Sequence, residues 1–178
     1  MNQNPPETDA LLETLTREFF QTETSVTRRS RREASRLGGV PPARALLQIA
    51  AHANEVLDTF PAIARHHGLP ESAPGSVIGA LFASVDRLGE LLVDNERSYR
   101  GTLLGVRHGL DLARLMRHAT YETSDLLLAE FLDAWLATRV VLVENLEEEL
   151  IWFAKNPHFA RKNAPLSLRM VISRSARV

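Results

Sequence analysis

The residues best suited to chemistry are carboxylates and histidines that helical spacing can gather into one layer. Glu55 follows His52 by one helical turn, Glu96 stands beside Asn95, and Glu144, Glu147 and Glu148 crowd a later stretch. If consecutive helices fold back on one another, His52 and Glu55 come near Leu92 to Glu96, and Glu96 comes near Glu144 and Glu147. Carboxylates and imidazole inside a helical bundle suit iron or manganese. The simpler reading of the same residues is a salt-bridged polar layer that holds no metal, with the metal site as the alternative. None of the six histidines follows an acid by three residues, so the Glu-x-x-His ligand pair is missing.

A second constellation joins Gly101, Gly105 and Gly109, four residues apart, to Arg100, Arg107 and Arg114, seven apart. Each interior helical glycine costs roughly 0.8 to 1 kcal/mol against alanine, so something is expected to approach the bare backbone. At 100° per residue the glycines share a flank with Ser98, Thr102 and Ala113, which predicts a small-residue groove for a neighbouring helix or a ligand. They are not a phosphate loop, because they fall within a helix and no Gly-Lys-Ser/Thr follows. The arginines lie on a different flank. A turn at 120–123 sets Arg100 level with Glu144 and Arg97 level with Glu147, which predicts an interhelical charge network of Arg97, Arg100, Glu144 and Glu147.

Helical periodicity runs from about residue 8 to residue 155 and nothing there alternates like a half-buried strand. The first helix is expected from Thr8 to about Arg36, stopped by Gly38 and Gly39. Leu11, Leu12, Leu15, Phe19 and Val26 form its apolar face, but after Phe20 that face thins into Thr, Ser and Arg. The second starts at Pro41-Pro42, ends at Gly68 and is kinked or shortened by Pro61. A third segment runs from Ser76 to about Ala119 along Leu81, Val85, Leu88, Leu92, Asn95, Tyr99, Leu103, Val106 and Leu110. Unbroken it would be about 65 Å long, so a kink near the glycines is expected. The fourth, from Ser124 to about Asn156, is closed by Pro157 and is broadly apolar.

These segments imply an all-α, antiparallel up-and-down four-helix bundle with a kinked long third helix and a basic C-terminal tail. The bundle spans residues 8–156, between an N-terminal tail, 1–7, and a basic tail, 157–178, docked or disordered. In architecture and polar-layer composition the chain resembles ferritin-like bundles, without their defining motif. That resemblance implies a metal site of His52, Glu55, Glu96, Glu144 and Glu147.

Composition excludes several classes. The 178 residues contain no cysteine, so disulfides and thiolate metal sites are out. The net charge is −1 at pH 7, but its distribution is uneven, with residues 28–36 carrying +4 and residues 157–178 carrying +5. Neither basic cluster interleaves aromatic residues, which disfavours nucleic acid, and binding of an anionic ligand or nucleic acid through the arginine clusters is kept as a further alternative. No window is apolar enough to span a bilayer, and the polar start is unlike a secretory signal, so a cytoplasmic location is expected. His66 and His67 suit the end of the second helix and His118 that of the third. Trp135 and Trp152 read as core or interface anchors. No nucleophile motif is present. The resulting expectation is a non-enzymatic protein without a cofactor, acting through self-association or a protein partner.

Overall fold

A computed structural model describes residues 5–66, 68, 94–123 and 125–163. Helix α1, Pro5–Leu37, places prolines in its first turn, where their missing N–H groups cost nothing. It stops at Gly38, whose φ of 79° and N–H bond to the Ala34 carbonyl at 3.0 Å make a left-handed cap. Helix α2, Pro41–His66, also opens on prolines and continues through Pro61. The expected shortening at Pro61 does not occur. Gly68, φ 66°, follows its end.

Helix α3, Asn95–Thr123, starts later than its apolar spacing predicts. The Asp94 carboxylate accepts the Arg97 N–H at 2.9 Å and caps the helix. The backbone of Asp94 itself bridges to Asn163. The helix continues through all three glycines and past the expected turn at 120–123. The seam residues Leu81, Val85, Leu88 and Leu92 lie outside the described residues. Helix α4, Leu126–Lys155, is capped by Asp125, whose side chain accepts the Leu128 N–H at 3.0 Å. After Asn156 a short α5, Pro157–Ala160, docks the start of the basic tail against α3 and α4. Residues 1–4 and 164–178 are outside the described set.

Each long helix packs on two others, so the four make a square in the order α1, α2, α4, α3. Across α1 and α2, Phe19 meets Phe60 and Arg31 reaches Asn54. Across α1 and α3, Glu18 meets His108 and Ser98 meets Glu33. Rising numbers on one helix meet falling numbers on its neighbour, as they do between α2 and α4 (His52 with Trp135, Phe60 with Phe131) and between α3 and α4 (Arg107 with Glu147, Arg117 with Asp133). In chain order the directions are therefore up, down, down, up. Helices α2 and α3 are diagonal and run the same way, whereas the sequence reading stacked them as consecutive hairpin partners.

The apolar core is in two parts. One surrounds Phe19, Phe60, Met116, Leu128, Leu132 and Trp135. The other surrounds Leu46, Ile49, Tyr99, Val106, Leu146 and Phe153. Between them lies a polar layer.

Candidate polar centre and outer face

Glu23 projects from α1 and Arg139 from the diagonally opposed α4, and neither has solvent contact. Arg139 Nη2 donates to Glu23 Oε2. The guanidinium also lies over the Trp135 ring, 4.7 Å from its centre, a cation–π contact one turn along the same helix. From α2, half-buried His52 faces the same tryptophan with ring centres 5.8 Å apart. Gly109 completes the layer from α3. A Cβ there would stand 3.2 Å from Thr22 Cγ2 and 3.5 Å from Glu23 Oε1. This is the close approach that helical glycine predicts, with Thr22 of α1 tight against the bare backbone of α3 and the Glu23 carboxylate in ordinary contact beside it.

Burial raises the Glu23 pKa, while the charge and hydrogen bond of Arg139 pull it back down. Burial also lowers that of Arg139, opposed by Glu23. His52 is lowered to about 4, first by burial and then by the Arg139 charge, so its ring is neutral at pH 7. Among the described residues several polar atoms of the layer find no hydrogen-bond partner: Glu23 Oε1, His52 Nδ1, Trp135 Nε1 and Arg139 Nε and Nη1. A buried charge pair joined by a single bond repays little of its desolvation, so this layer costs stability.

The thin second half of α1 is explained by the same geometry. Glu23, Thr27, Ser30 and Glu33 continue its inward stripe and are buried. At the far end of the bundle, Glu33 holds Arg36, whose Nε donates to Oε2 at 2.9 Å. It also accepts the Ser98 hydroxyl at 2.9 Å. Arg36 Nη1 donates to Asn95 Oδ1 at 2.7 Å, and Asn95 Nδ2 donates to the Phe159 carbonyl at 2.9 Å. This chain of bonds ties α1, α3 and the segment after α4. Nearby, the Tyr99 hydroxyl donates to the Leu146 carbonyl at 2.9 Å, and burial followed by Glu149 and Glu33 raises its pKa.

The expected groups are redistributed. Of the groove residues, Ser98, Thr102, Gly109 and Ala113 face inward or toward α1, but Gly101 is exposed and Gly105 half-exposed, with nothing within 4 Å of either added Cβ. Arg97 and Arg100 do not reach Glu144 and Glu147. Arg100 pairs with Glu96 on its own helix, Nη2 to Oε2 at 3.3 Å. Arg107 instead takes Glu147, through Nε at 2.9 Å and Nη2 at 2.7 Å. Arg117 holds both oxygens of Asp133, at 2.6 and 2.8 Å. Helices α3 and α4 are therefore shifted by about two helical turns from the level that a turn at 120–123 would set.

The proposed metal ligands are also dispersed. His52 sits at mid-height, Glu96 on the first turn of α3, Glu147 with Arg107, and Glu55 and Glu144 on the surface. The cause is topological, since α2 and α3 are diagonal rather than adjacent. Among the described residues no three His, Asp or Glu side chains converge on a point that could hold a metal ion. An open cleft of about 390 Å³ lies where α3, α4 and α5 meet. Asp94, Glu96, Arg100 and Arg161 balance its charge.

The outer face of α4 carries the feature that the buried layers do not explain. Leu127, Ala134, Ala137, Val141 and Ile151 follow one another at heptad-compatible spacing, and all are exposed. Val141 is 54% and Ile151 57% exposed. Glu130, Glu144 and Glu148 punctuate the same row and make no ion pair among the described residues. Beside it, α3 presents Leu104, 69% exposed, and Leu115, 49% exposed, among Arg97, Arg100, Arg107 and Arg114. No described helix is long and apolar enough to cross a membrane. In comparisons with protein families, curated proteins and solved structures, nothing matches this chain.

Proposed function

We propose that this is a binding protein that acts by association of its outer helical surface, with a second copy of itself or with a protein partner. The observation that carries the reading is the exposed row on α4. Its positions recur every three or four residues, apolar at Leu127, Ala134, Ala137, Val141 and Ile151 and acidic at Glu130, Glu144 and Glu148, the spacing with which a helix packs on another helix, yet they point away from the core. Scattered exposed apolar residues need no explanation. A row in heptad register along one helix has the form of an interface.

The polar centre contributes indirectly. Its charge pair and unbonded atoms lower stability, while the requirement that Glu23 face Arg139 across the diagonal selects one register of four otherwise permissive helices. Register selection by a buried polar contact is the best-attested use of such groups. The outer face is thereby presented in one arrangement. Light scattering of the purified chain across concentrations, with affinity capture alongside, tests the reading. A defined oligomer or a stoichiometric partner is expected. A monodisperse monomer that captures nothing overturns it.

A further inference from the structure

We infer that the occupant of the α3–α4 face is a second copy of this chain, related by a two-fold axis that runs along the helices, so that α3 of each copy lies over α4 of the other. The inference rests on the association proposed above and adds its partner and geometry. Charge complementarity carries it. The outward side of α4 offers Glu144 and Glu148 between Val141 and Ile151, and the outward side of α3 offers Arg97, Arg100, Arg107 and Arg114 around Leu104; Glu96, Glu147 and Asp111 already pair with the last three, and the balance stays basic on α3 and acidic on α4. Within the protomer Arg107 is level with Glu147. An axis along the helices preserves height, so it carries Arg107 of one copy to the level of Glu144 and Glu148 of the other, with Arg100 about one helical turn beyond Glu148 and within reach of it through its long side chain. Leu104 then meets the Ile151 end of the row, and Leu115 meets Ala137 and Val141.

The other two-fold arrangement of this face, with its axis across the helices, sets α3 on α3 and α4 on α4. It would place arginine rows and acid rows against themselves, and like-charge juxtaposition costs several kcal/mol. The charge pattern therefore selects one axis. The interface is isologous, and each copy contributes both a basic and an acidic helix.

Charge exchange tests this. The wild-type chain is expected to be a dimer by light scattering. The variants E144R/E148R and R100E/R107E change only exposed side chains, the second also giving up the exposed pairs with Glu96 and Glu147, each worth about 0–1 kcal/mol, so circular dichroism should report intact helices in both. Each alone should dimerise at least about a hundredfold more weakly, because one charge set then faces its like. Mixed in equal amounts, the two variants should recover a heterodimer, since the basic α3 of one meets the acidic α4 of the other and the reversed helices also match. If either variant alone dimerises as tightly as the wild type, this face is the wrong one while association stands. A mixture that stays monomeric overturns the assigned pairing. A monomeric wild type overturns both the pairing and self-association.

Discussion

A guanidinium without solvent contact must meet its charge and its donors inside the protein, and Arg139 meets only part of that demand. Among the described residues it has one bond to Glu23 and a tryptophan face, with Nε and Nη1 unbonded. Removing either partner alone strands the other charge, so E23L and R139M should each cost about 3–5 kcal/mol in urea unfolding. The double variant E23L/R139M fills the layer with apolar side chains and should recover that loss, ending near or above wild-type stability. Equal losses in the single and double variants would mean that the pair stabilises the fold outright. His52 reports on the same layer through pH. An unfolded imidazole takes up its proton near pH 6.5, but in the folded protein only near about 4, so between these values the unfolded state binds more protons. The stability that comes from a neutral His52 is complete above pH 6.5 and is lost as the pH falls to about 4. With solvent screening at the half-buried ring the loss should be roughly 1 kcal/mol. Glu23, whose pKa is raised by burial, tilts stability the other way. Comparing urea midpoints of wild type and H52N from pH 7 to 4.5 isolates the histidine, and identical pH profiles would exclude this role.

Helix α3 shows what glycine does at three positions of one element. Gly109 faces Thr22, and an added methyl 3.2 Å from Thr22 Cγ2 would require that side chain or the two helices to give way slightly. G109A should therefore lose about 1 kcal/mol despite its better helix propensity. Gly101 and Gly105 meet no such neighbour, so G101A and G105A should each gain about 0.5–1 kcal/mol. Thermal or urea unfolding of the three single variants checks the contrast, which fails if all three shift in the same direction. Helices α1, α2 and α4 were legible because local chemistry marks their ends, with Gly38 after one, Pro41 and Pro42 opening the next and Pro157 following the last. The start of α3 was not. The apolar spacing runs on through Asn95 and Tyr99, whereas the stop depends on Asn95 N–H bonding the Lys162 carbonyl at 3.1 Å, a contact between distant parts of the chain. The inward stripe of α1 was obscured for a related reason. Glu23, Thr27, Ser30 and Glu33 keep the core period, but their partners Arg139, Arg36 and Ser98 come from elsewhere in the sequence.

Across the molecule, the antiparallel neighbours and the diagonal of α2 and α3 decide which charges meet. Consecutive hairpins would have set His52 and Glu55 beside Glu96, and only the third dimension separates them. The same arrangement collects acid on the outer side of α4 and arginine on that of α3, although the whole chain carries a net charge of only −1. Long-range repulsion between copies is therefore weak, and the local pattern governs their approach. If Arg100 and Arg107 meet Glu144 and Glu148 of a second copy at the rim of an apolar row, salt screens the attraction while leaving the apolar burial in place. Raising sodium chloride from 50 to 500 mM shortens the screening length from roughly 14 to 4 Å, so self-association should weaken by about tenfold and then level off. Sodium sulfate at high concentration should push the other way, since excluded salts strengthen apolar burial. Sedimentation equilibrium across both salts separates the contributions. Association that tightens monotonically with sodium chloride would assign the interface to the apolar row alone and remove the arginines from it.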